Sequence, residues 1–260
     1  MDYLDENNRL IAAPEPRWIT SPKRLRVFFG GEAIVDSTRA NLFRGGGPPV
    51  YYFPKEDVRQ GALTATGRTE SNARGTMSLY DVQVGERSAE GAAWEYTETA
   101  DDVPFLAGML SFRWGEMDAW YEEEEEVFVH AKDPFKRIET FRSVRHVEVY
   151  AGGEKVADSS SPVVLLEPGH PLRYYLPKMD IRMDLMLPSE TVSRCPYKGK
   201  ADYYSVETGS GLLEDAAWCY KYPTTETAGV AGLVCFFNER VDAIHVDGEE
   251  SEKPVTNWRR

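Results

Sequence analysis

The chain alternates apolar and polar residues with a period of two through much of its length. "RLRVFF" sets Leu25, Val27 and Phe29 against Arg24, Arg26 and Phe28, then runs into Gly30-Gly31. "HVEVYAGG" repeats the arrangement from His146 to Gly153. Alternation of this kind predicts half-buried strands, and the glycine pair predicts a tight hairpin, because glycine tolerates positive φ. "TMSLYDVQV" and "KADYYSVET" add longer strands rich in β-branched and aromatic residues. One short helix per repeat is predicted where Thr99 precedes Asp102 by three residues, ahead of "VPFLAGMLSF". Its counterpart is "TTETAGVAGLVCFF", capped by Thr224 or Thr225.

The pattern is written twice. "GGEAIVDS" from Gly30 returns as "GGEKVADS" from Gly152, an offset of 122 residues. "YYFPKEDVR" from Tyr51 returns as "YYLPKMDIR" from Tyr174, offset 123, and "AAWEY" from Ala92 returns as "AAWCY" from Ala216, offset 124. A duplication with small loop insertions produces such a drift. The period is too long for a solenoid, so the chain is read as two sister domains. The boundaries expected are an arm at 1–22, a first repeat at 23–134, a linker at 135–145, a second repeat at 146–250 and a tail at 251–260. Each repeat is expected to be mainly β (a β-rich α+β unit): a rolled sheet or open barrel with one short helix.

Composition narrows the function classes. A net charge of −13 repels phosphate backbones, so no nucleic-acid partner is expected. No apolar run reaches the roughly 20 residues that span a bilayer, so no membrane partner is expected. The polar, acidic start lacks a secretion-signal layout, and Cys195, Cys219 and Cys235 form no C-x-x-C pair. A reducing, cytoplasmic setting follows, without a metal site and with no cofactor named by any motif. The run Glu122–Glu126 reads as a solvated edge, with a cation site or a basic partner as sharper alternatives.

Four stretches carry a resemblance. "YYFPKEDVR", "CPYKG", "DAAWCYKYP" and the joining "WYEEEEEVFVHAKDPFKR" resemble the DUF427 family in its tandem, two-domain form, over roughly residues 22–248. The resemblance implies a β-rich domain without an established activity, to which a nucleotidyltransferase label is attached. The sequence has neither the glycine-serine and paired-aspartate signature of such enzymes nor a P-loop. The family's C-P-Y/W-K-G motif falls on Cys195, Pro196, Tyr197, Lys198 and Gly199, whereas the first copy has Ser71, Asn72, Ala73 and Arg74 before its glycine.

That asymmetry directs attention to the second copy. Cys195 beside Lys198 is a candidate thiolate nucleophile; the alternative is a small apolar filler, the reading given to Cys219 and Cys235. Lys178 and Arg182 could clamp an anion beside Tyr174 or Tyr175, or Asp180 could pair with Arg182 while the tyrosines fill the core. Trp94 and Trp218 recur as core anchors or pocket walls, while Trp114 and Trp120 face Asn238 and Ile244 in the alignment. His170, in "PGHPLRYY", is a candidate anion ligand. The leading expectation is a small-molecule pocket in the second repeat, with anions among its candidate ligands, lined by Tyr175, Arg182, Cys195, Tyr197, Lys198, Trp218 and His170. A Cys195-dependent enzyme and an interaction module stand as alternatives.

Overall fold

The computed structural model describes residues 17–45 and 47–256. Contacts divide the chain between Pro134 and Phe135. The first domain holds β1 Arg17–Thr20, β2 Leu25–Phe29, β3 Glu32–Ser37, β4 Asn41–Arg44, β5 Val50–Pro54, β6 Leu63–Asn72, β7 Gly75–Val84, β8 Arg87–Thr99, β9 Met109–Phe112, β10 Ala119–Glu122 and β11 Glu125–Glu126. The second repeats them in order as β12 Glu139–Arg142, β13 Val147–Ala151, β14 Glu154–Ser159, β15 Val163–Leu166, β16 Arg173–Leu176, β17 Met186–Cys195, β18 Gly199–Thr208, β19 Gly211–Pro223, β20 Val234–Phe236, β21 Ala243–Val246 and β22 Glu249–Glu250.

Each domain is a pair of open sheets, and no barrel closes. In the first, β1-β4-β5-β9-β8-β7-β6 form a seven-stranded sheet and β11-β10-β2-β3 a four-stranded one. In the second, the orders β12-β15-β16-β20-β19-β18-β17 and β14-β13-β21-β22 reproduce this topology. The β2–β3 and β13–β14 hairpins turn through Gly30-Gly31 and Gly152-Gly153, all four at positive φ as the sequence predicts.

Strand alternation sorts side chains onto two faces of the larger sheet. In the second domain Leu176, Val206, Cys219 and Phe236 face the smaller sheet and pack with Val149, Val156 and Ile244. Their neighbours Tyr175, Trp218, Tyr220 and Cys235 form a separate cluster on the outer face, with Val230 and Phe237. The first domain matches this with Phe53, Phe112 and Trp120 inside, and with Tyr52, Tyr96 and Leu106 outside. Burying each such large side chain contributes about 1.5–3 kcal/mol.

Three expectations change. The helices are short 3-10 stretches, Pro104–Leu106 and a Thr225–Val230 segment kinked at Thr227, because Met109–Phe112 and Val234–Phe236 are taken by the sheet. Strand pairing to β5, β8, β16 and β19 outweighs the local helix signal there. Residues assigned to the arm and linker include edge strands: Arg17–Thr20 pairs with β4, and Glu139–Arg142 with β15. The run of glutamates splits, since Glu122 is buried against Tyr51 and Lys23 while Glu123–Glu126 stay exposed. Residues 1–16 of the arm and 257–260 of the tail lie outside the described residues.

Candidate functional site

The outer face of the second domain's large sheet carries the polar residues that the first lacks. On β16, Arg173 and Tyr175 share this face. Tyr175 is 1 % exposed, and its hydroxyl accepts a hydrogen bond from Trp218 Nε1 at 3.1 Å. Burial pushes the Tyr175 hydroxyl well above the ordinary tyrosine range and the neighbouring Cys235 thiol up to about 12. Arg173 lies over the Trp218 and Phe237 rings, its Cζ 5.4 and 5.7 Å from their centroids. It donates two bonds to Glu239, at 2.9 and 2.6 Å, where the side chains are 8 % and 0 % exposed. Burial opposes the Glu239 charge, but the Arg173 bonds outweigh it and hold the carboxyl below its usual range.

A second ionic cluster sits beyond the end of β15. Glu167, 3 % exposed, is ion-paired through Oε2 with Lys198 and through Oε1 with Lys136 at 2.7 Å. His170 Nδ1 is 3.5 Å from the same Oε1 and 3.2 Å from the Pro168 carbonyl, so that nitrogen carries the proton, both neighbours being acceptors. Burial would raise the Glu167 carboxyl, yet the charges of Lys198, His170 and Lys136 prevail and bring it down to about 2. His170 goes the other way: burial holds its imidazole below the usual histidine value despite Glu167. Lys136 also stands 4.7 Å from the centroid of the Tyr197 ring.

The C-P-Y-K-G segment is the β17–β18 turn. Cys195 ends β17, paired with Gly199 at the start of β18. The turn is tied to the outer layer where Thr224 N donates to Lys198 O at 3.3 Å and Thr224 Oγ1 donates to Tyr197 O. Cys195 is partly exposed, whereas Cys219 and Cys235 are buried, as expected of fillers.

Of the predicted site residues, His170, Tyr197 and Lys198 meet at the Glu167 corner. Tyr175 and Trp218 occupy the same sheet face but are sealed into its core. Arg182 is elsewhere: its amide donates to Val156 O at 2.9 Å and its guanidinium to Asp184, not to Asp180. Asp180 instead accepts from Ser159 Oγ at 2.6 Å. Lys178 reaches the Tyr204 hydroxyl at 3.4 Å. His146, just before β13, approaches Glu148 on β13 and Asp158 on β14, but the cation among them is the Lys155 ammonium.

Sequence reasoning missed Glu167, Lys136, Arg173 and Glu239. A usable signal existed, since the matching positions in the first copy are Gly45, Val50 and Gly115 for Glu167, Arg173 and Glu239. In the first domain Arg74, at the position of Lys198, donates to the Gly45 carbonyl at 2.6 Å and stacks over Phe43, 4.7 Å from its centroid.

No curated protein matches the chain. A family model, the domain of unknown function DUF427, matches residues 17–123 and again 139–247. Those spans cover both pairs of sheets, so the chain belongs to the DUF427 family as a tandem, two-domain member.

Proposed function

We propose that the second domain binds a small anionic ligand at the corner formed by Lys136, Lys198, His170 and Tyr197. The observation that carries this reading is the charge balance around Glu167. One buried carboxylate gathers two ammonium groups, leaving an excess positive charge on a chain whose net charge is −13. Both lysines are largely desolvated, so their attraction for an incoming carboxylate or phosphate is screened less than at an open surface. Fixed geometry lowers the entropic cost of binding, because Glu167 holds both ammonium groups in place beforehand.

Less supports a thiol-dependent enzyme. Lys198, the intended activator of Cys195, has its ammonium on Glu167. A cytoplasmic setting fits three free cysteines; among the described residues no helix is long and apolar enough to cross a membrane.

Calorimetric titration with inorganic phosphate and with acetate at low ionic strength tests the reading. Saturable binding is expected, weakened about tenfold or more by Lys136→Gln and by Lys198→Gln. Binding that survives both substitutions, or no saturation by about 10 mM anion, would overturn it.

A further inference from the structure

The two copies close their cores differently after β9 and β20. In the first, Trp114 and Trp120 stack with ring centroids 4.2 Å apart and planes 6° from parallel, and Trp120 packs on Phe53 and Phe112. In the second, the same positions hold Asn238 and Ile244. The register confirms the match: Trp120 pairs with Val27 and its carbonyl accepts from Val127, as Ile244 pairs with Val149 and accepts from Ser251. The segment that follows also parts from the core. Four residues after Val127, Ala131 is 0 % exposed within the core that holds Trp120; four residues after Ser251, Val255 is 92 % exposed. Tyr51, buried in the first copy, becomes the half-buried Tyr174 in the second.

Between that segment and the sheet the second domain keeps a cleft of about 590 Å3, within the range of small-molecule pockets. Tyr174, Phe236 and Ile244 line it from the inner core, and Leu172 and Val255 add exposed apolar surface. Its full charges cancel. Arg173 is matched by Glu239, and Glu252 stands beside Lys253, whose ammonium donates to Val241 O at 2.7 Å. His170 lines the cleft as well, and its Nδ1 lies 3.5 Å from Glu167 Oε1. Cleft and anion corner therefore share a residue. One is charge-balanced and partly apolar, and the other carries the excess positive charge of Lys136 and Lys198.

We infer that corner and cleft form one site for an amphipathic acid, a single anionic group carrying an apolar chain or ring. This rests on the anion reading above and adds the body of the ligand to it. The head group meets Lys136 and Lys198, and the neutral body lies past His170 against Tyr174, Phe236 and Ile244. A second charge on the body would be desolvated against a lining with no net charge to offset it. Each methylene buried in the cleft tightens binding by up to about fourfold.

Calorimetric titration of the full-length protein with acetate, hexanoate and hexanol, beside inorganic phosphate, tests the inference. Hexanoate is expected to bind about tenfold or more tightly than acetate, and hexanol about tenfold or more weakly than hexanoate. Ile244→Trp, which restores the indole of the first copy, should bring hexanoate to the level of acetate and leave phosphate unchanged. Leu172→Asn, at the exposed rim, should weaken hexanoate about threefold without touching phosphate. Lys198→Gln should weaken hexanoate and phosphate alike, about tenfold. The inference is overturned if hexanoate gains nothing over acetate, if hexanol equals it, if either folded cleft variant keeps the natural affinity for hexanoate, or if Lys198→Gln leaves that affinity unchanged. Phosphate decides the corner by itself: saturation by phosphate with no gain for hexanoate leaves the anion reading standing and removes only this one. Where Ile244→Trp does not fold, the probe series and Leu172→Asn decide.

Discussion

Arg74 and Lys198 occupy one position in two copies of one fold, and they meet different partners. Arg74 satisfies a backbone carbonyl and covers a phenylalanine ring. Lys198 meets a buried carboxylate that also holds Lys136 and His170. The change from Gly45 to Glu167 turns a self-satisfied corner into an ionic hub while the strand order stays the same. The fold provides the position, and single side chains decide what chemistry it holds.

The comparison breaks most readily at Glu167. Glu167→Ala leaves two desolvated ammonium groups without their anion, so the second domain should lose about 3–5 kcal/mol in denaturant unfolding. Arg74→Met in the first domain removes one bond and a ring contact, and should cost about 1 kcal/mol. Equal losses would mean that the hub is no more than another surface contact.

Acid sharpens the same contrast. The folded Glu167 carboxyl sits near 2, below its ordinary 4.5, so its stabilisation is complete above that ordinary value and fades as pH falls towards 2. On the order of 3 kcal/mol is at stake. Unfolding measured across this window should show a flatter acid limb for Glu167→Gln than for the natural chain; identical slopes would refute the assignment.

The turns give a smaller effect. Gly199 has φ +95°, and a Cβ there would lie 3.1 Å from Tyr222 O, so Gly199→Ala should cost about 1–2 kcal/mol. Gly75, its counterpart, has φ +134°, and a Cβ would come within 2.0 Å of Glu98 O. Gly75→Ala should therefore be the more damaging of the two in thermal unfolding. Smallest is Arg182→Ala: its exposed pair with Asp184 is the kind that contributes little, so no measurable shift of the midpoint is expected.

The doubled architecture was legible because period-two alternation and the Gly-Gly hairpins are local signals that strands obey directly. The edge strands at Arg17–Thr20 and Glu139–Arg142 were not, since four residues of mixed polarity carry too little periodicity. The helices are cut down to short 3-10 stretches because capping residues report local preference, whereas Leu110 and Val234 are committed to partners far along the chain. At the site, Lys198 and Tyr197 stood out through a motif that one copy had lost. Glu167 and Lys136 did not, because their meeting depends on a loop and an inter-strand segment brought together only by the sheet. Arg182 misled for the opposite reason: neighbours in sequence around Pro177 project towards different layers.

The smaller sheet has a consequence for how the chain is made. Strand β2, near the start of the first domain, finds its partner in β10, near the end. The pairing spans nearly the whole domain, so it belongs to the slow class of non-local closures. A nascent first domain cannot finish this sheet until β10 has left the ribosome, and a fragment cut before it exposes the open flank of β2. Truncated products should clump through that flank, while chains extended past β10 should stay dispersed.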